Sequence, residues 1–243
     1  MISIFKKEVN LFLSSLIGYL AIALFLVATG LFLWVFPDYS VITYGFSDLG
    51  SFFRMSPYIF LFLIPAITMR TFAEETQTGT MELLATRPIS DWEIILGKYL
   101  ASTFLVLLAI LPTFIYYYSV SQLGMPKGNL DEGATWGSYI GLFGLGAVFV
   151  AIGVFCSSLT SNQIIAFILG LFFCGFFYEA FGALSRLSVF YGSMDALVER
   201  LGISYHYDSI SRGLVDSRDV VYFLSMITAF LAGTKFALEK RKW

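Results

Sequence analysis

Six long apolar runs, near 16–36, 48–69, 99–120, 136–158, 163–184 and 219–238, leave this chain few ways to fold. Each can cross the roughly 30 Å hydrocarbon layer as a helix of about 20 residues. Inside lipid, backbone N–H and C=O groups must bond within their own segment, so helices are the expected form. A transmembrane barrel would show alternating strands of roughly ten residues, and no such pattern is visible. Of the 243 residues, 58% are hydrophobic and 13% charged, against about 25% charged in soluble domains. The expected fold is an all-α polytopic membrane protein forming one domain over 1–243. It has six transmembrane helices, an N-terminal interfacial helix over about 2–15, a cytoplasmic coupling helix between spans two and three, and short outer helices between spans five and six.

The net charge of −2 supplies no basic patch for phosphates, so nucleic acid is not an expected partner. Cys156 and Cys174 fall inside apolar runs without metal-ligand spacing, and read as small buried hydrophobes. No H-E-x-x-H, G-x-S-x-G or paired intramembrane aspartate is present. The chain is expected to hold no catalytic site, cofactor or metal.

Lys and Arg placement sets the expected orientation. Lys6 and Lys7 precede the first span, Lys240, Arg241 and Lys242 follow the last, and Arg70, Arg87 and Lys98 lie between spans two and three. The loops after spans one and three hold only Arg54 and Lys127. Arg186, Arg200, Arg212 and Arg218, in the loop 185–218, run against the pattern, but acids share that loop and its length weakens the rule. Both termini are expected in the cytoplasm, with the protein in a bacterial inner membrane. Trp34, Tyr116 to Tyr118, Trp136, Tyr139, Tyr178 and Tyr222 are expected at the outer interface, and Trp92, Tyr99 and Trp243 at the inner one. Near the start, Phe5, Val9, Phe12 and Leu16 recur at helical spacing while Lys6, Lys7 and Asn10 point elsewhere. They form an uncleaved interfacial helix or a cytosolic extension of the first span.

The segment 70–98 is too polar to span. Phe72, Thr76, Thr80, Leu83 and Leu84 fall roughly on one helical face, with Glu74, Glu75, Gln77 and Glu82 elsewhere. Gly79 interrupts this helix at a cost of about 1 kcal/mol, and Arg87-Pro88 ends it, since a residue before proline is pushed out of the helical region. Ser90-Asp91-Trp92-Glu93 then fits a capping box that restarts the chain toward span three. The expected result is a helical hairpin, either an ordinary connector or a docking element through which a soluble partner moves the spans.

The stretch "EETQTGTMELLATRPISDWEIILGKYLA" resembles the signature loop of ABC-2-type transporter permeases. An acidic residue, a G-T-x-E-L-L core, a P-[IVL]-S turn and a G-K before span three recur together there. "GYLAIALFLVATGLFLWVFP", "FLFLIPAITMRTFAEE" and "SSLTSNQIIAF" resemble the gliding-motility, or GldF, branch. A permease for maturation of nitrous-oxide reductase, a copper enzyme, is the nearest competitor. The resemblance implies a membrane half-transporter of the type V exporter-like kind. Phe72, Glu74, Glu75, Thr80, Glu82, Leu83, Leu84 and Arg87 would form its ATPase-coupling face. It also implies a separate GldA-like ABC ATPase that binds ATP and Mg, and a second membrane subunit, GldG-like or a second copy. The chain itself lacks a G-x-x-x-x-G-K-[ST] phosphate loop.

Gly133, Gly137 and Gly141 make a small-residue row, for helix packing within the chain or for a dimer interface. Thr160 to Gln163 reads as a second capping box that starts span five, or as a further ATPase contact. Ser193 is expected to cap a helix over Met194–Leu201, with Gly202 as its stop. His206, the one histidine, reads as an ordinary outer-loop residue. Arg54, Arg70, Glu179 and Lys235 lie near span ends, where the interface satisfies them, and Pro57, Pro65 and Pro112 are expected to kink spans two and three. Three functions stay open: a permease, a non-transporting ATP-driven actuator or scaffold, and an intramembrane enzyme, which lacks a catalytic set.

Overall fold

The structure, a computed structural model, describes residues 1–45, 47–81, 89–187, 192, 194–213 and 216–241. The chain is all-α and polytopic. It begins with α1 (Ile2–Leu13) and α2 (Leu16–Trp34), followed by a short α3 (Val41–Tyr44). Ser15 caps α2 by accepting from the Gly18 N–H, and the axes of Ile2–Leu13 and Gly18–Trp34 meet at 68°. Next come α4 (Gly50–Thr68), α5 (Arg70–Gln77) and α6 (Asp91–Ile110). A 3-10 turn, Leu111–Thr113, leads into α7 (Phe114–Leu123) and α8 (Glu132–Leu159). Helix α9 (Gln163–Gly175), a π-turn (Phe176–Ala180) and α10 (Phe181–Ser185) make one span. The short α11 (Asp195–Glu199) and α12 (Ile203–Ser211) precede α13 (Ser217–Arg241).

Among the described residues, five stretches are long and apolar enough to cross a membrane: Gly50–Gln77, Asp91–Leu123, Glu132–Leu159, Gln163–Ser185 and Ser217–Lys240. The bent pair at the N-terminus, taken as one span, makes six. Helix α8 is the axle, touching α4, α5, α6, α9, α12 and α13. Its most apolar window is 78% buried within the chain, against 22% for Gln163–Ser185 and 17% for Ser217–Lys240. The last two spans therefore turn most of their apolar surface outward, where lipid or another subunit must cover it. Both termini lie at one end of the bundle: the Met1 ammonium is 3.7 Å from Glu93, and Lys235 Nζ sits 5.7 Å above the Trp92 ring.

Several expectations change in detail. The capping box is present, with Ser90 Oγ accepting from the Glu93 N–H and Glu93 Oε2 accepting from the Ser90 N–H. It starts α6 at Asp91, so span three begins eight residues before the apolar run does. Ser90→Ala is expected to cost about 1 kcal/mol, read as a lower melting temperature in detergent. Helix α5 ends at Gln77, where Gly79, with a left-handed φ of +71°, interrupts the expected helix; Thr80 and Met81 are helical again, and the expected end near Leu84 lies outside the described residues. Thr160 does not cap span five. Asn162 does, accepting from the Ile164 and Ile165 N–H groups, because the helix starts at Gln163 and the Thr160 hydroxyl accepts instead from the Asn162 N–H.

Proline acts differently at each position. Pro112 sits in the 3-10 turn of span three, while Pro57 and Pro65 stay inside α4. Pro57 has no N–H for the Phe53 carbonyl one turn earlier, and Tyr207 of α12 donates its hydroxyl to that carbonyl at 2.8 Å. Tyr99, Tyr139 and Tyr178 are buried against the rest of the bundle. Tyr139 donates to the Thr113 carbonyl, which shows what draws it in.

Between spans five and six, α11 covers Asp195–Glu199, shorter than expected, and Ser193 lies outside the described residues. Gly202 does not stop this helix in a left-handed conformation. It has φ −79° and stands at the N-cap of α12. Helix α12 folds back onto α8 and buries Ile203, His206, Tyr207 and Ile210, an i, i+3, i+4, i+7 stripe. His206 is thus no ordinary loop residue. Its Nδ1 lies 2.7 Å from Asp219 Oδ1, its Nε2 2.8 Å from the Arg200 carbonyl, and its ring stacks on Tyr222 at 3.9 Å.

Candidate functional site

At the terminal end, three helices meet over a buried charge cluster. Lys98 follows the buried Ile94 and Ile95 on α6 and is 1% exposed. Its Nζ donates to Glu8 Oε1 of α1 at 2.9 Å and to the Thr71 carbonyl at 2.5 Å, and meets Glu75 Oε2 of α5 at 2.9 Å as a charge contact. It also stands 5.1 Å above the Phe72 ring. Lys7 closes the set, 2.8 Å from Glu75 Oε1 and 3.7 Å from Glu8. Two cations thus face two carboxylates. Burying a lone ion costs several kcal/mol, so this balance makes the union of α1, α5 and α6 all-or-nothing.

A second joint fixes the same region to the axle. The chain breaks at Met69 between α4 and α5, which leaves the first N–H groups of α5 without helical partners. Ser157 of α8 satisfies two of them, accepting from Phe72 at 3.0 Å and Ala73 at 3.1 Å, while donating to the Met69 carbonyl at 2.9 Å. One turn earlier, Gly153 has no side chain, and Thr68 fills the space: a Cβ there would lie 2.9 Å from Thr68 Cβ and closer still to its Oγ1. Span two and α5 are therefore both tied to α8 at this joint.

The expected coupling residues separate. Phe72 is fully buried and Glu75 belongs to the charge cluster, so both face the chain's own interior. Glu74 pairs with Arg70 through two bonds of 2.8 and 2.9 Å. Thr80 is exposed, its hydroxyl 3.0 Å from that of Thr78. Glu82, Leu83, Leu84 and Arg87 lie outside the described residues. Gly137 and Gly141 pack beneath α12, where a Cβ would stand 2.8 Å from the Ile210 carbonyl and 3.2 Å from Ile210 Cγ2 respectively. At Gly133 an added Cβ would meet only Asp131 Oδ1, at 3.5 Å. Sequence reasoning missed Glu8 and Ser157, and took Lys7 as a marker of the basic side and Lys98 as such a marker and as the lysine of the G-K before span three. The available signal was a lysine embedded in "EIILGKYLA" with unpaired acids upstream.

Residues 43–194 match the family model of ABC-2 family transporter proteins, well over half of the chain. The chain belongs to the ABC-2 transporter family. The match runs from span two through span five and includes Glu75, Lys98 and Ser157; Glu8 lies before it and α13 after it. A comparison with curated proteins returns no match. Membership makes this a multi-pass membrane subunit of an ABC transporter and implies an ABC ATPase partner.

At the far end of this ABC-2 protein a cavity of about 1010 Å³ opens between α4, α8, α10 and α12. Its walls carry five carboxylates, on Asp48, Asp131, Glu179, Glu199 and Asp208, and three guanidinium groups, on Arg54, Arg186 and Arg212. Tyr58 donates its hydroxyl to Glu179 at 2.8 Å, and its ring meets that of Tyr178 edge-on at 5.9 Å. Burial raises the Asp208 carboxyl above the usual aspartate range, with Glu179 and Glu199 adding to the shift and Arg212 and Arg54 opposing it. The cavity lies near the top of the range for pockets that hold a small molecule, about 300–1,000 Å³.

Proposed function

We propose that this protein is the permease subunit of a type V exporter-like ABC transporter, driven by a separate ATPase that docks on the segment 70–98. The terminal end then faces the cytoplasm, as the clustering of Lys6, Lys7 and the basic C-terminus supports. The observation that carries the reading is the Lys98 cluster. It welds α1, α5 and α6 together beside the Ser157 joint, so a push on the segment leaving α5 at Gly79 reaches spans two, three and four without slack. Glu82, Leu83, Leu84 and Arg87, with the exposed Thr80, supply the docking face. Phe72, Glu74 and Glu75 support it from within.

The likeness of several stretches to gliding-motility permeases supports a GldF-type role, with a GldA-like ATPase and a GldG-like or identical second membrane subunit. ATP and Mg are bound by that ATPase. Replacing Glu82 with Ala and Leu83 with Asp together is expected to abolish co-purification of the ATPase while leaving membrane insertion intact. Unchanged co-purification would contradict the docking assignment. Reconstitution in vesicles with the ATPase separates this reading from an actuator or scaffold. ATP-dependent movement of substrate is expected, and ATP turnover without any transport would overturn the permease reading.

A further inference from the structure

Glu179 stands where two cavities meet. On one side lies the charged far-end cavity. On the other, an apolar groove of about 360 Å³ runs along the outward face of span five, lined by Leu171, Phe172, Gly175 and Phe176, and shares Glu179 and Ala183 with the cavity. The π-turn Phe176–Ala180 forms the junction, and such turns recur at functional positions. A polar chamber adjoining a greasy groove on an outward-facing helix fits an amphiphile.

The walls define its head. The Glu179 carboxylate, bonded to the Tyr58 hydroxyl, and the Tyr58 and Tyr178 rings, whose centroids lie 5.9 Å apart, suit an ammonium group, held by charge and by cation–π attraction. Among the described residues no salt bridge occupies Arg54, Arg186 or Arg212, and guanidinium groups match phosphate oxygens in pairs. Five acids against three arginines disfavour a head that is only anionic. Tyr58 lies eight residues into α4 from Gly50, so the chamber extends about 12 Å along that span.

We propose that cavity and groove together seat one membrane lipid with a zwitterionic phosphoammonium head. Its ammonium sits at Glu179 beside Tyr58 and Tyr178, its phosphate faces the cavity arginines, and one hydrocarbon chain lies along Gly175. The seat exists whether or not the complex transports anything, so its test is independent of the permease reading.

The test uses the full chain, purified in detergent, stripped of lipid and titrated with phosphatidylethanolamine, phosphatidylglycerol or a diglucosyl diacylglycerol. Bound lipid is counted by native mass spectrometry. Phosphatidylethanolamine is expected to bind roughly tenfold more tightly than the other two, the scale of a desolvated cation–π contact. Glu179→Gln, which keeps an acceptor for Tyr58, should erase that preference. Gly175→Leu should also weaken phosphatidylethanolamine binding, by blocking the groove. An added Cβ at Gly175 meets no atom within 4 Å, so the fold tolerates this change, and an unaltered melting temperature checks it. Equal binding of the three lipids would overturn the proposal, as would full binding by Gly175→Leu. Complete displacement by soluble glycerophosphoethanolamine would also overturn it, since the site would then take a free headgroup and need no tail.

Discussion

Lys98→Met is expected to destabilise the protein by about 3–5 kcal/mol, the scale for removing one partner of a buried ion pair. Methionine keeps most of the stem against Phe72 but leaves Glu8 and Glu75 without their buried cation, with only the half-exposed Lys7 between them. Lys7 still reaches Glu75, but its side chain is half exposed and cannot fill the space at Thr71. The loss should be smaller in the double variant Lys98→Met with Glu75→Gln, because the orphaned charge is then removed as well. That ordering separates a charge effect from a packing effect. Unfolding in detergent micelles measures both, and a Lys98→Met protein that melts like the parent would show that the cluster holds nothing together.

Gly153→Ala should be costly for a different reason. The added methyl meets Thr68 across the α4–α8 crossing, and overpacking of this kind costs about 1–3 kcal/mol. The same substitution at Gly175, where the space is open, should instead stabilise by up to about 1 kcal/mol, because alanine is the better helix former. Adding Thr68→Ala to Gly153→Ala should recover part of the loss. Opposite signs for one chemical change at two helical glycines would locate the tight crossing at Met69–Ser157. Equal effects would remove the case for a rigid joint there.

The spans were legible because lipid imposes one simple demand on a sequence, some 20 apolar residues in a row. Ser90 and Glu93 were legible because a capping box is local, its partners three residues apart. Lys98 was not. Its carboxylate partner Glu8 is 90 residues away, and a lysine near a span end reads equally well as a marker of the basic side. Phe72 misled through amphipathicity, which tells one face from another but not which neighbour covers it. Here the apolar face meets the chain's own α6 and α8, leaving Thr80 exposed just past Gly79. The far-end cavity was illegible because its walls come from four separate segments, joined only once α12 folds back. The stripe Ile203, His206, Tyr207 and Ile210 was in view, but a histidine in it disguised the apolar period.

Cysteine cross-linking tests the central claim most directly. The native Cys156 and Cys174 are buried, so an introduced cysteine reports its own position. In membrane vesicles holding the complete complex, Thr80→Cys, just past α5, is expected to cross-link to the ATPase through a short bifunctional maleimide. Met125→Cys, exposed at the opposite end of the bundle, should not. A cross-link from Met125→Cys with none from Thr80→Cys would place the ATPase at the wrong end and contradict the account.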